Sequence, residues 1–258
     1  MLLVLDVGNS QTVVGLYEGE DLRTHYRVST SSDRTVDEWR ALLTPLLERD
    51  GVTPSEVTGC CLSSVVPPVN RALQQVCRDE FEVDPVVVGP GIRTGIQLRS
   101  DNPKEIGADR IVNIIAAVEE HEGALIVIDF GTATTFDYVT EKRERTGGII
   151  VPGVQLAADA LFDRCALLPR VEITLPGRVI GRDTASNIRS GLTYGYGEMV
   201  DGLVRRMGEE TDSTPKVVAT GGLATVVAEA ASRIDVVEPF LTLKGLRLVY
   251  TRNEKEHG

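Results

Sequence analysis

Residues 2–18 read LLVLDVGNSQTVVGLYE, and residues 125–141 read LIVIDFGTATTFDYVTE. Laid over each other without a gap, they share Leu2/Leu125, Val4/Val127, Asp6/Asp129, Gly8/Gly131, Thr12/Thr135 and Glu18/Glu141. Each is an apolar strand ending in Asp-x-Gly, then three residues and a Thr that leads into a second strand. One such match is weak, because short apolar strands resemble one another. The same punctuation in both halves of a 258-residue chain predicts two related domains. The polar break AVEEHEG sets their boundary, giving domains over 1–118 and 119–258.

The patterning around these hairpins is that of two α/β halves. In the first half, strands are expected at 2–7, 11–18 and 22–29. A helix over 36–49 follows, with Trp39, Leu42, Leu43, Leu46 and Leu47 on one face. A buried strand VTGCCLSSV, a Pro-initiated helix over 67–80, the strand PVVVG and a helix ending near Glu120 complete it. The second half gives strands at 124–130, 134–140 and 146–151, and a helix after Gly153. A long helix over 185–209, the strand KVVAT, a helix over 223–232 and the strand DVVEPF follow. The order βββαβαβα, twice, predicts mixed sheets covered by helices.

Charge removes whole classes of partner. Lys+Arg is 27 against Asp+Glu 38, a formal net charge of −11, with no basic run. Such a chain repels nucleic acid and anionic membranes. No apolar stretch approaches the roughly 18 residues of a membrane span. The opening MLLVLDVGN has no basic segment or cleavage site and is expected to be a strand rather than a signal peptide. Cys60, Cys61, Cys77 and Cys165 form neither a disulfide framework nor a zinc pattern, and His25, His121 and His257 lack ligand-like spacing. A protein of a reducing, cytoplasmic compartment is expected.

An anionic substrate must then be held by local devices. A Gly after a strand-terminal Asp permits a tight turn and brings backbone N–H groups near a ligand. The next residues, Asn9-Ser10-Gln11-Thr12 and Thr132-Ala133-Thr134-Thr135, are small or amide-bearing and suit polyphosphate oxygens. Plain hairpins are the competing reading, weakened because the turn occurs twice. Thr220-Gly221-Gly222 between a strand and a helix fits a base or ribose against the backbone, or simply a tight turn. There is no GxxxxGK[ST], and Gly89–Gly95 has the wrong spacing for a dinucleotide loop.

Asp101-Asn102-Pro103-Lys104-Glu105-Ile106-Gly107-Ala108-Asp109-Arg110 carries chemistry-bearing residues at two successive helix starts. Asp109 beside Arg110 reads either as a helix cap or as a base at the inter-domain crevice with a guanidinium for a carboxylate or phosphoryl group. An ordinary Asp cannot deprotonate an alcohol in advance. It can accept the proton late in a loose phosphoryl-transfer transition state.

Together the segments DVGNSQT, DNPKEIGADR, DFGTATTFD, GGIIVPG, GRDTASNIRSG, ATGGLA and LTLKGL resemble type III pantothenate kinases, of the actin/Hsp70/sugar-kinase superfamily. DxGN points to the superfamily, and GADR with DFGTATT to the narrower family. The resemblance implies two duplicated actin-like (ribonuclease H-like) domains, each a mixed five-stranded sheet flanked by helices. It implies a homodimer that phosphorylates pantothenate with ATP, Mg²⁺ and a monovalent cation, K⁺ or NH₄⁺, in the first step of coenzyme A synthesis. By motif, Asp109 becomes the general base, and Gly107, Ala108, Arg110 and Thr184 line the pantothenate pocket. Asp6, Val7, Gly8, Asn9, Ser10, Gln11, Thr12 and Val13 hold the ATP phosphates, with Asp6 near Mg²⁺. Thr132, Gly221 and Gly222 contact the nucleotide, and Asp129 binds the monovalent cation. Ser100 stands where the family often has a Tyr that touches substrate, and Ser10 where Thr is commoner. The competing reading is a nucleotide-binding regulator that has lost turnover; the presence of both Asp109 and Asp129 counts against it.

Overall fold

β1 (Leu2–Val7) and β2 (Gln11–Glu18) pair as an antiparallel hairpin that is buried over most of its length, with Leu3, Leu5, Val14 and Leu16 in one apolar cluster. In the computed structural model, which describes residues 1–254, this hairpin begins the first of two compact units. The first comprises residues 1–95, 102–116 and 241 onward; the second comprises 96–101 and 117–240. Ile96–Asp101 and the segment from Leu241 onward each group with the unit made mostly of the other half of the sequence.

The first unit holds a five-stranded sheet of order β3-β2-β1-β4-β5, adding β3 (Asp21–Ser29), β4 (Gly59–Ser64) and β5 (Val86–Val87). β4 runs parallel to β1 and β5 parallel to β4. α1 (Val36–Arg49) starts at a Thr35/Glu38 capping box and buries Trp39, Leu43 and Leu47. α2 (Pro67–Glu80) begins on two prolines, whose missing N–H groups are no loss at that position. Both helices pack into one apolar cluster with Leu3, Leu5, Val14 and Leu62. α3 (Ala108–Glu120) and α7 (Leu241–Asn253) are also helical, and α7 packs against β1, β2 and β4. α7 was not expected from the sequence. Its Gly245 is a site of close approach, since a Cβ there would collide with the Val112 carbonyl of α3.

The second unit repeats the order: β9 (Glu144–Pro152), β8 (Ala133–Val139), β7 (Leu125–Phe130), β10 (Lys216–Thr220) and β11 (Val236–Val237) match β3-β2-β1-β4-β5. A sixth strand, β6 (Gln97–Leu98), corrects the expected count of five. It pairs in parallel with β9, and Arg99 N–H donates to the Arg145 carbonyl at 2.8 Å. α4 (Val154–Arg164), α5 (Thr184–Thr211) and α6 (Ala224–Ala228) complete the unit. α6 is shorter than the expected 223–232, and the DVVEPF strand shrinks to two residues. A buried ion pair, Arg145 Nε to Asp137 Oδ1 at 2.7 Å, ties β8 to β9.

The register corrects one equivalence. Val7 faces Thr12, whereas Phe130 faces Thr134, so the second turn is one residue shorter. Thr134, rather than Thr135, therefore stands where Thr12 does, and both are fully buried.

Candidate active site

In the first unit Asp6 is the last residue but one of β1, and the chain turns just beyond it, with Gly8 N–H donating to the Gln11 carbonyl at 3.0 Å. Asn9, Ser10 and Gln11 are exposed at the tip, while Val13 is half-buried. Thr12 points inward, its hydroxyl 2.9 Å from that of Thr30. The Asp6 carboxylate is not left to rotate: Ser63 Oγ donates to its Oδ1 at 2.5 Å. Ser63 is fully buried and lies opposite Asp6 in the parallel β1–β4 register. No signal in the one-dimensional pattern marked it.

Gly107, Ala108, Asp109 and Arg110 form the start of α3 in the same unit, all half-buried. Asp109 Oδ1 accepts the Arg110 N–H at 2.8 Å. Its carboxylate folds back over Gly107, where any Cβ would collide with that same oxygen. The missing side chain of Gly107 is thus room for the acid.

The second unit contains Ser100, Asp129, Thr132, Thr184, Gly221 and Gly222. Asp129 is the last residue but one of β7, as Asp6 is of β1, and Gly131 N–H donates to the Ala133 carbonyl at 3.2 Å to close the shorter turn. Gly221 reaches this carboxylate: a Cβ on it would lie 2.6 Å from Asp129 Oδ1 and 2.7 Å from the Phe130 backbone. Its φ of +98° also excludes an ordinary side chain. Thr132 and Gly222 are exposed and Ser100 half-buried.

Thr184 opens α5 behind the N-cap Asp183, whose Oδ1 accepts the Ser186 N–H at 2.8 Å. That bond holds the Asp183 carboxyl below its usual range. Thr184 and Asn187 line a 420 Å³ cleft together with Leu161, Leu168, Ile188, Gly191 and Leu192.

Asp6 and Asp129 suit the cations the sequence suggested. Mg²⁺ takes hard oxygen ligands, one or two of them carboxylates. Beside Asp129 Oδ1 the bare backbone of Gly221 comes close enough that even one added carbon would clash. A different group escaped the spacing of the histidines. Ligand atoms of Glu120, His121 and Glu238 lie within 4.8 Å of one another. Lys216 Nζ is 3.3 Å from His121 Nδ1 and already supplies positive charge there. His257 lies outside the described residues. Cys60, Cys61 and Cys77 are buried as expected of small thiols, but Cys165 is exposed.

The family model of type III pantothenate kinases matches residues 2–206. This chain belongs to the type III pantothenate kinase family. The matched span takes in both Asp-x-Gly turns, the Asp109 segment and Thr184. The chain is accordingly an ATP-dependent kinase, and its family implies ATP with Mg²⁺. Solved structures show the same fold at low identity. A Sinorhizobium meliloti protein described as a 2-dehydro-3-deoxygalactonokinase has a TM-score of 0.63 at 10% identity, covering 97% of this chain and 98% of that one. A Campylobacter jejuni protein described as a Baf family transcriptional activator has a TM-score of 0.61 at 16% identity, covering 98% and 99%. A Porphyromonas gingivalis protein described as an N-acetylglucosamine kinase has a TM-score of 0.54 at 13% identity, covering 98% and 100%. These likenesses show a shared fold.

Proposed function

We propose that this pantothenate kinase family member transfers the ATP γ-phosphate to the primary hydroxyl of pantothenate, yielding 4′-phosphopantothenate for coenzyme A synthesis, with Asp109 as general base. The family match across the Asp109 segment carries the reading. The Arg110 N–H holds one oxygen of Asp109, which orients the carboxylate toward an incoming alcohol. In a loose transition state the alcohol proton moves late, so an ordinary Asp suffices. Arg110, Gly107, Ala108 and Ser100 contact the acceptor. Thr184 contacts it as well, and lines a cleft whose leucines and Ile188 suit an acceptor's branched aliphatic part.

The Asp6–Val13 turn holds the ATP phosphates with its backbone donors, and Thr132, Gly221 and Gly222 contact the nucleotide. Mg²⁺, held on the Asp6 side, supplies charge neutralisation on the phosphates when bound. A monovalent cation, K⁺ or NH₄⁺, sits at Asp129. The protein works as a homodimer in the cytoplasm. Leu156, Leu161 and Phe162 on α4 and Leu167 in the segment after it are exposed, which supports a second copy covering this region.

The test is product identity. Incubation with ATP, Mg²⁺ and pantothenate should give phosphopantothenate by mass spectrometry, and Asp109→Asn should give almost none. ATP binding without any phosphorylated pantothenate would return the protein to the regulator reading.

A further inference from the structure

β4 ends in Ser63-Ser64-Val65-Val66-Pro67, and its two serines have different partners. Ser64 Oγ accepts the Val66 N–H at 3.0 Å and so shapes the turn into α2. Ser63 instead points across the sheet and donates to Asp6 Oδ1 at 2.5 Å. The next residue binds the same strand, Val65 N–H donating to the Val7 carbonyl at 3.0 Å. Val65 Cγ1 lies 3.7 Å from the position a Cβ on Gly107 would take. One turn therefore touches the end of β1 and the approach to Asp109.

A carboxylate offers two oxygens, each with two acceptor sites. A buried hydroxyl fixed on one of them sets the plane of the group and the direction of the other. Hydrogen bonds to an ionised acceptor are short and strong, as this one is. The second unit repeats the placement: Thr220 ends β10 in register with Asp129 and is 2% exposed. In both halves the strand parallel to the Asp-bearing strand thus carries, at or next to its end, a buried hydroxyl residue beside the acid.

We infer that Ser63 is a positioning residue for the phosphate-side cation: it orients the Asp6 carboxylate, without touching substrate itself. The inference rests on the proposed role of Asp6 near Mg²⁺. Partners of metal-binding carboxylates typically change metal affinity by about 10–100-fold when removed.

The experiment uses the whole chain and a non-hydrolysable ATP analogue. Calorimetry in EDTA and in Mg²⁺ gives the affinity gain that Mg²⁺ confers. Ser63→Ala should keep the EDTA affinity and lose at least about tenfold of that gain. Ser63→Cys, of similar volume with a weaker donor, should fall between, and it serves if the alanine variant does not fold. Ser64→Ala should melt at a lower temperature with the gain intact. A wild-type gain in both Ser63→Ala and Ser63→Cys would make Ser63 a packing residue and overturn the inference. If the wild-type protein shows no gain from Mg²⁺, the role of Asp6 falls first, and the inference with it.

Discussion

Gly221→Ala tests the geometry around Asp129 at a single atom. The added methyl would lie 2.6 Å from Asp129 Oδ1 and 2.7 Å from both the backbone N and C of Phe130. Two of those atoms are backbone and cannot swing away. Overpacking of this kind costs about 1–3 kcal/mol. The residue is also held at φ +98°, and an L side chain at positive φ adds about 1–2 kcal/mol. A total near 3 kcal/mol lowers the melting temperature by roughly 6–12 °C for a chain of this size. Relief by pushing the Asp129 carboxylate aside would also blunt stimulation of turnover by K⁺. Thermal unfolding by circular dichroism and turnover in K⁺ against Na⁺ read the two effects. A variant that melts within a degree or two of the parent and keeps its K⁺ response would refute the placement of Gly221 against Asp129.

Other residues make separate predictions. Asp109→Asn should fold and bind ATP normally but lose about 10²–10⁴-fold in kcat; steady-state kinetics beside a melting curve checks it. Arg145→Met takes the guanidinium away from the buried Asp137 carboxylate and should cost about 3–5 kcal/mol by urea unfolding, while the double variant with Asp137→Leu recovers most of it. Hydrogen bonds from Thr24 and Tyr26 lower the Asp50 carboxyl, so its stabilisation is present above its unfolded value and disappears as pH falls through the folded one. Asp50→Asn should therefore lose less stability than the parent between neutral and strongly acid pH. A hydrogen bond with Cys77 and burial push the Cys60 thiol up, and burial alone raises Cys61. A thiol reagent should accordingly label Cys165 alone in the native protein, and Cys165→Ala should leave nothing to label until it unfolds.

The sequence carried the hairpins and most helices because their signals are local. Asp-x-Gly after an apolar strand marks a turn, Trp39, Leu43 and Leu47 mark one helix face, and Pro67 marks a helix start. Residues set by contacts between distant segments left no such mark. β6 is two residues long and is defined by backbone bonds to β9, which any side chains would allow. The final helix carries Gly245 in its interior, where glycine costs about 1 kcal/mol of helix propensity. Its reason is the Val112 carbonyl on a different helix. The one-residue difference between the two turns was invisible because a gapless comparison already puts a Thr, Thr135, on Thr12; only strand register shows that its neighbour Thr134 takes the place. At the proposed site, the acids stand out in their motifs, but their supports do not. Ser63 on Asp6 and Gly221 on Asp129 are juxtapositions across parallel strands, with no spacing to betray them. Gly107, flagged as a pocket residue, also proves to be the space into which Asp109 folds.

The most direct test of the account is the rate of ADP release with ATP and Mg²⁺ as pantothenate is titrated, once in K⁺ and once in Na⁺. The account predicts release that rises to saturation with pantothenate and is faster in K⁺. Release that is absent, or present but indifferent to pantothenate in either salt, would contradict it.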